Sequence, residues 1–452
     1  MTNKDNMRKY LILALLLSAM CSCSPGGRNS ASSGPAAFVP PHPQDVVMYQ
    51  VNPRNFAPRN SFNAVRNHLD SIAELGTNVV WFMPIFEIGE LKSVNSPYCV
   101  KDYRSVNPEF GTVEDFKSLV RECHARDMAV IIDWVANHTS WDNPWIYEHP
   151  DWYTKGPDGE IISPEGTGWN DVADLNFDNP EMCAAMIDAM KFWVTEVGVD
   201  GFRCDAADFV PFEFWKDCVY SLRAIEGRNL LMLAEGQRKD HFDAGFDMNY
   251  AWQWLSALRS VYSRGRAAAP ASSLFQVDSA EYAGIPEGCV KLRFTTNHDE
   301  CTKMSPVQEF FGPEGSMAAF VATSFIHGGM LVYGSQEVGY PGAINFFNYT
   351  KVDWNSNSEM YEEYCRLAEI YNESQAIRKG ELKAWPDDDV LMFSKTAGDE
   401  EVLVVVNMRA SQDSIALPEE WRGRSCTDLA GKEKIQLSDS LGLMPFEYVI
   451  LK

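Results

Sequence analysis

The sequence predicts an α/β fold: a (β/α)8 TIM barrel with a short inserted domain after its third strand, then a C-terminal antiparallel β domain. Three observations carry this. Short apolar runs alternate with helix-period stretches through the middle of the chain, polar residues gather where those runs end, and the alternation stops near residue 376. Continuous apolar runs of strand length suit a parallel sheet covered on both faces. No glycine-rich phosphate loop follows any of them, which disfavours an open nucleotide-binding sheet.

At the N-terminus, Lys4, Arg8 and Lys9 precede "YLILALLLSAM", a run too short to span a bilayer, so residues 1–22 read as a secretory signal. In "MCSCSPGG" a small residue, Ser22, stands before Cys23, an arrangement similar to a bacterial lipoprotein cleavage site, with Cys21 as the alternative. Residues 23–44, rich in Ser, Gly and Pro, read as a tether. The expectation is an exported protein, lipid-anchored at the bacterial cell envelope and touching membrane only through that anchor.

The barrel is expected over 45–375. Its strands are "VVMYQ", "VVWFM" (79–83), "AVIID" (129–133), "DGFRCD" (200–205), "LMLAE" (231–235), "FDAGFDMNY" (242–250), "LRFTT" (292–296) and "MLVYG" (330–334). Between them, "TVEDFKSLVRECHARD" places Phe116, Leu119, Val120 and Cys123 on one helix face, with Thr112 and Asp115 as a capping box. Residues 138–180 are polar, aromatic and rich in turn residues. A loop this long in a compact domain is usually functional, and it forms the inserted domain. Its Trp141, Trp145, Trp152 and Trp169 either stack on a ligand or build that segment's own small core. Over 376–452, "VLMFSKT", "EVLVVVNM" and "MPFEYVILK" are short strands separated by turns, as in a small antiparallel sandwich.

The 452 residues exceed one compact core. A net charge of -24 argues against nucleic acid or anionic membrane as partners and leaves a neutral ligand such as a sugar open. Eleven cysteines neither cluster nor form a C-x-x-C pair, so no metal or redox role follows from them.

The chemistry lies at the strand ends. "VIIDWVANH" supplies Asp133, Asn137 and His138; "GFRCD" supplies Arg203 and Asp205; "LMLAE" supplies Glu235; and "RFTTNHDE" supplies Asn297, His298 and Asp299. A barrel brings strand C-termini to one mouth. Any one of these acids could cap a helix. Four carboxylates gathered there repel one another, which structure alone does not call for. Arg203 and Asp205 lie two apart on a strand and so point the same way.

In order, these four segments resemble the signature regions of the α-amylase family of glycoside hydrolases. "VADLNFDNP" and "SPYCVKDYRSVNPEFGT" extend the likeness, which runs from "DVVMYQVNPRNF" to "PFEYVILK". The resemblance implies a retaining hydrolase of α-1,4-glucosidic bonds in starch or malto-oligosaccharides, with Asp205 as nucleophile, Glu235 as general acid/base and Asp299 as the supporting carboxylate. It implies sugar contacts from Tyr98, Asp102, His138, Arg203 and His298, with Arg203 keeping Asp205 ionised. No cofactor is required; Asn137 and Asp174 resemble positions that hold a structural calcium in many members. Where endo-acting amylases carry a lysine and a histidine after the nucleophile, this chain has Asp208 and Phe209, which points towards shorter substrates. A glucan-transferring relative (4-α-glucanotransferase-like) uses the same residues. A non-catalytic glycan-binding protein would not need Glu235.

Overall fold

Eight parallel strands close into a barrel in the computed structural model, which describes residues 38–263 and 268–452. They are β1 (Val47–Val51), β2 (Val79–Phe82), β3 (Ala129–Trp134), β4 (Gly201–Cys204), β5 (Leu231–Ala234), β6 (Met248–Tyr250), β7 (Val290–Arg293) and β8 (Gly329–Tyr333). Each of the eight expected runs contributes a strand, although of 242–250 only Met248–Tyr250 is strand and its first residues belong to the helix Asp240–Asp243. Each strand pairs with its neighbours in sequence, and β8 returns to β1 with Val47 opposite Met330, so no barrel edge is left open. The strands are buried along their whole length, because outward side chains meet the helices and inward ones fill the barrel. Gly201 opens β4 for a steric reason: a Cβ there would stand 1.9 Å from the Leu231 carbonyl oxygen of β5.

The helix Val113–His124 has the expected capping box. Thr112 Oγ1 accepts from the Asp115 N–H (3.1 Å) and Asp115 Oδ2 accepts from the Thr112 N–H (2.9 Å). Phe116, Leu119, Val120 and Cys123 are its buried face. Residues 1–37, which hold the expected signal, Cys21, Cys23 and most of the expected tether, lie outside the described residues. From Phe38 the chain is already packed. The Phe38 ring stacks on His124 at 4.5 Å, and Asp45 pairs with Arg378 and Lys379, so the last residues assigned to the tether lie on the barrel.

In the inserted segment, His138–Ser140 pairs antiparallel with Val172–Asp174, and a helix spans Pro144–Glu148. Trp152 is buried, Trp145 packs between it and Tyr103, and Trp141 donates Nε1–H to the Asn170 carbonyl (3.0 Å). Three of the four tryptophans therefore hold the segment together, while Trp169 lines the cavity at the barrel mouth.

The C-terminal domain is a six-stranded antiparallel sheet ordered Glu381–Trp385, Val390–Ala397, Glu400–Asn407, Tyr448–Leu451, Ser425–Asp428 and Glu433–Gln436, with a separate pair Asp413–Ala416 and Ser440–Leu443. The helix Pro313–Ser324 contacts the Glu400–Asn407 strand and is buried from Gly315 to Ser324, which explains why its sequence lacks a polar face. Lys395 is fully buried and donates Nζ–H to the Ile326 and Ile377 carbonyls. The nine cysteines among the described residues are all free.

Candidate active site

Arg203 organises the mouth of the barrel. It is fully buried, and its Nη1 donates to Asp133 Oδ1 (2.7 Å) and Asp205 Oδ1 (2.8 Å). Its Nη2 stands 2.9 Å from Glu235 Oε1, an ion-pair contact outside hydrogen-bonding angles, and its Nε donates to the Tyr250 hydroxyl (3.1 Å). The rings of Trp81, Tyr250 and Tyr98 surround the guanidinium at 5.1, 5.5 and 5.9 Å. One cation thus serves three carboxylates from three adjacent strands. The same-side placement of Arg203 and Asp205 holds, but Arg203 sits a layer deeper and does not line the cavity. Its expected role as a sugar contact is replaced by that of a brace beneath the acids.

Three anions around one cation cannot all be fully compensated. Burial pushes the Asp133 carboxyl up to about 7 against the pull of Arg203. Burial likewise raises Asp205 well above the carboxylate range, with Arg203 opposing and Glu235 and Asp133 adding to the rise. Arg203 therefore favours the ionised form of Asp205 as expected, without outweighing burial. Asp299 is raised by burial as well. Glu235 does not sit in the apolar surroundings that its strand suggests. Its Oε2 accepts from the Ala206 N–H (2.7 Å) and its Oε1 meets Arg203. Ala206 adopts a left-handed conformation (φ 44°, ψ 41°), a strained state for a residue with a Cβ, found where a backbone group must be aimed.

A cavity of about 230 Å³ opens above these groups, lined by Asp205, Glu235, Asp299, His138, His298, Tyr98, Trp169, Phe346 and Phe347 among others. His298 is clamped: Gln50 Nε2 lies 2.7 Å from its Nδ1, and the Tyr98 hydroxyl lies 2.6 Å from its Nε2. The Tyr98 hydroxyl also donates to Asp133 Oδ2 (3.2 Å), and its ring stacks on His298. His298 thus fixes Tyr98 at the floor, with both ring nitrogens engaged. Burial lowers His138 to about 4 and His298 to about 3, so both rings are neutral at pH 7. Phe209 is 58% exposed at the rim, with its ring 5.7 Å from that of Trp169.

Asp102 does not belong to this site. It is exposed, lines a different depression with Arg104 and Asp188, and accepts the Arg104 N–H (2.8 Å). The neighbouring Tyr103 is structural, donating its hydroxyl to the Val135 and His138 carbonyls. Asn137 precedes the strand His138–Ser140, and Asp174 ends the strand Val172–Asp174 that pairs with it. The Asn137 amide nitrogen lies 3.3 Å from His138 Nδ1, and burial raises Asp174 against a hydrogen bond from Thr154. Among the described residues, no group of three His, Cys, Asp or Glu side chains is arranged to hold a metal ion. Calcium takes six to eight oxygens, so this pair alone does not make a calcium site.

Sequence reasoning placed Asp133 at the strand end without giving it a role, and it missed Gln50, Phe346 and Phe347. Gln50 is the one amide in the otherwise largely apolar β1, which was a signal. The Phe346–Phe347 pair lies in a loop without periodicity and gave none.

A model of the alpha-amylase catalytic domain matches residues 50–158 and 167–369, and one of the maltogenic amylase C-terminal domain matches 382–450. The chain is 27% identical over 419 residues to alpha-amylase MalA of Haloarcula japonica, covering 87% of this chain and 59% of that protein. It thus spans less than two thirds of that relative's length. It is 24% identical over 462 residues to a cyclomaltodextrinase of Geobacillus thermopakistaniensis, covering 90% of this chain and 76% of that one. The crystal structure of an alpha-amylase from Lactobacillus plantarum superimposes with a TM-score of 0.82 at 25% identity, covering 91% of this chain and 99% of the other.

Proposed function

Because the chain belongs to the alpha-amylase family of glycoside hydrolases, we propose that it is a retaining hydrolase of α-1,4-glucosidic bonds in malto-oligosaccharides. The carrying observation is that Asp205 and Glu235 contact one guanidinium and line one cavity. That arrangement favours the short carboxyl separation of a covalent mechanism over the wider gap that admits a water. Asp205 Oδ1 is held by Arg203, leaving Oδ2 to attack the anomeric carbon. Glu235 gives its proton to the departing glycosidic oxygen as the C–O bond breaks. It then takes a proton from the water that releases the sugar from Asp205. Asp299 accepts from sugar hydroxyls, Tyr98 offers its ring to the sugar at the cleavage point, and His138 adds a neutral polar contact.

Proton NMR of the first product from maltotriose tests this reading. The α-anomer supports it; the β-anomer as first product would refute it. The preference for short chains is supported by the short inserted segment, which offers little wall for a long groove, and by Asp208 and Phe209 standing where basic donors would hold a long leaving group. For location, we propose export with lipidation at Cys23, supported by the "MCSCSPGG" junction. Mass spectrometry of the mature N-terminus tests it, and an unmodified terminus downstream of residue 23 would end it.

A further inference from the structure

We infer that Asp208 is a positioning residue for the acid/base: its carboxylate fastens the loop that carries Glu235 to the loop that carries Asp205. This rests on the reading of Glu235 given above. Asp208 lies in the short turn Ala207–Phe209 that follows the nucleophile. Its Oδ2 accepts from the Gln237 N–H (3.0 Å) and its Oδ1 from the Arg238 N–H (3.2 Å), the second and third residues after Glu235. Arg238 answers in the other direction, donating Nη1–H to the carbonyls of Asp208 (3.1 Å) and Val210 (3.2 Å). Behind the carboxylate, His241 Nε2 stands 3.4 Å from Oδ1, on a ring that is 1% exposed.

The fit is close. A Cβ on Gly236 would fall 2.4 Å from Asp208 Oδ1, so the residue after the acid/base has no side chain where this carboxylate needs room. Two further bonds continue the seam, from the Ala207 N–H to the Glu235 carbonyl (2.9 Å) and from the Ala206 N–H to Glu235 Oε2 (2.7 Å). A carboxylate is the only side chain of this size that accepts from two backbone N–H groups without presenting a donor of its own. Asparagine keeps the shape and turns one of those contacts into donor against donor. Asp208 thus acts through the backbone of residues 236–238 on where the Glu235 carboxyl stands relative to Asp205. A displacement of that carboxyl of about 1 Å is enough to cost about 100-fold.

The test separates proton delivery from everything else the site does. Maltotriose needs a proton on its leaving oxygen, whereas fluoride departs from α-maltosyl fluoride without one. Asp208→Asn should lower kcat/KM on maltotriose by about 10–100-fold and leave kcat/KM on α-maltosyl fluoride within about 3-fold. Equal losses on the two substrates, no loss on maltotriose, or a loss on maltotriose carried by KM alone with kcat unchanged would overturn the inference. A merely structural residue does not distinguish leaving groups, and a lost sugar contact weakens binding rather than proton delivery. If Asp208→Asn does not fold, Gly236→Ala disturbs the same contact from the other side and should give the same split. Glu235→Gln is measured alongside. If that variant fails to show the split, the assignment of Glu235 falls; if it shows the split and Asp208→Asn does not, only the role of Asp208 falls.

Discussion

Replacing the buried Asp133 with asparagine should stabilise the fold above neutral pH. The carboxyl is fully buried; its Oδ1 accepts from Arg203 Nη1 (2.7 Å) and its Oδ2 from Trp81 Nε1 and the Tyr98 hydroxyl (both 3.2 Å). Burial nevertheless carries it from 3.8 to about 7. Between those values the folded protein keeps a proton that the unfolded chain has released. The contribution of this group is therefore complete near pH 4 and lost as pH rises through 7. Three units at about 1.4 kcal/mol each make that loss about 4 kcal/mol. Asparagine cannot lose it, and Arg203 keeps Asp205 and Glu235 as partners, so no uncompensated cation is created. Against the gain, the Asn amide group can donate to the Tyr98 hydroxyl but leaves the Trp81 N–H without an acceptor, which costs about 1 kcal/mol. Asp133→Asn should then be about 1 kcal/mol less stable than the wild type near pH 4 and about 3 kcal/mol more stable at pH 8. Urea unfolding followed by tryptophan fluorescence at the two pH values measures this. A difference that is the same at both, or a variant less stable at pH 8, would refute the reasoning.

Phe209→Ala removes the exposed ring beside Trp169 and should lower kcat/KM on maltoheptaose by about 2–10-fold, with a smaller effect on maltotriose; equal effects would take Phe209 out of the leaving-group side. Lys395 is lowered from 10.5 to about 7 by burial and by Arg293, against the pull of Asp278. The unfolded chain therefore binds the extra proton between pH 7 and 10, and stability from this group rises with pH across that window. Lys395→Met should abolish the rise. Unfolding free energies of wild type and variant that stay parallel from pH 7 to pH 9.5 would contradict this.

The barrel was legible because most of its strands are largely apolar runs with polar residues at or just past their ends, a pattern that parallel sheets impose. The acids were legible for the same reason. Depth was not. Period-two alternation puts Arg203 and Asp205 on one face but carries no information on how far the closing barrel buries each. Arg203 consequently read as a sugar contact when it is the brace below the acids. Asp102 misled because it ends the short strand Val100–Asp102, and three residues show too little alternation to tell which of them turn inward. In the C-terminal domain the long strands Val390–Ala397 and Glu400–Asn407 were evident. The pair Asp413–Ala416 and Ser440–Leu443 was not, since four half-exposed residues show too little alternation.

The assignment of Asp205 as nucleophile is tested most directly by trapping the covalent intermediate. A 5-fluoroglycosyl fluoride forms the glycosyl-enzyme quickly and releases it slowly, so mass spectrometry of the intact protein and then of its peptides reads which carboxyl was modified. The structure predicts one sugar per chain, attached to Asp205, whose Oδ2 is free while Oδ1 is held by Arg203. Label on Asp299 or Glu235, or turnover of the reagent with no adduct at any stage, would contradict the account.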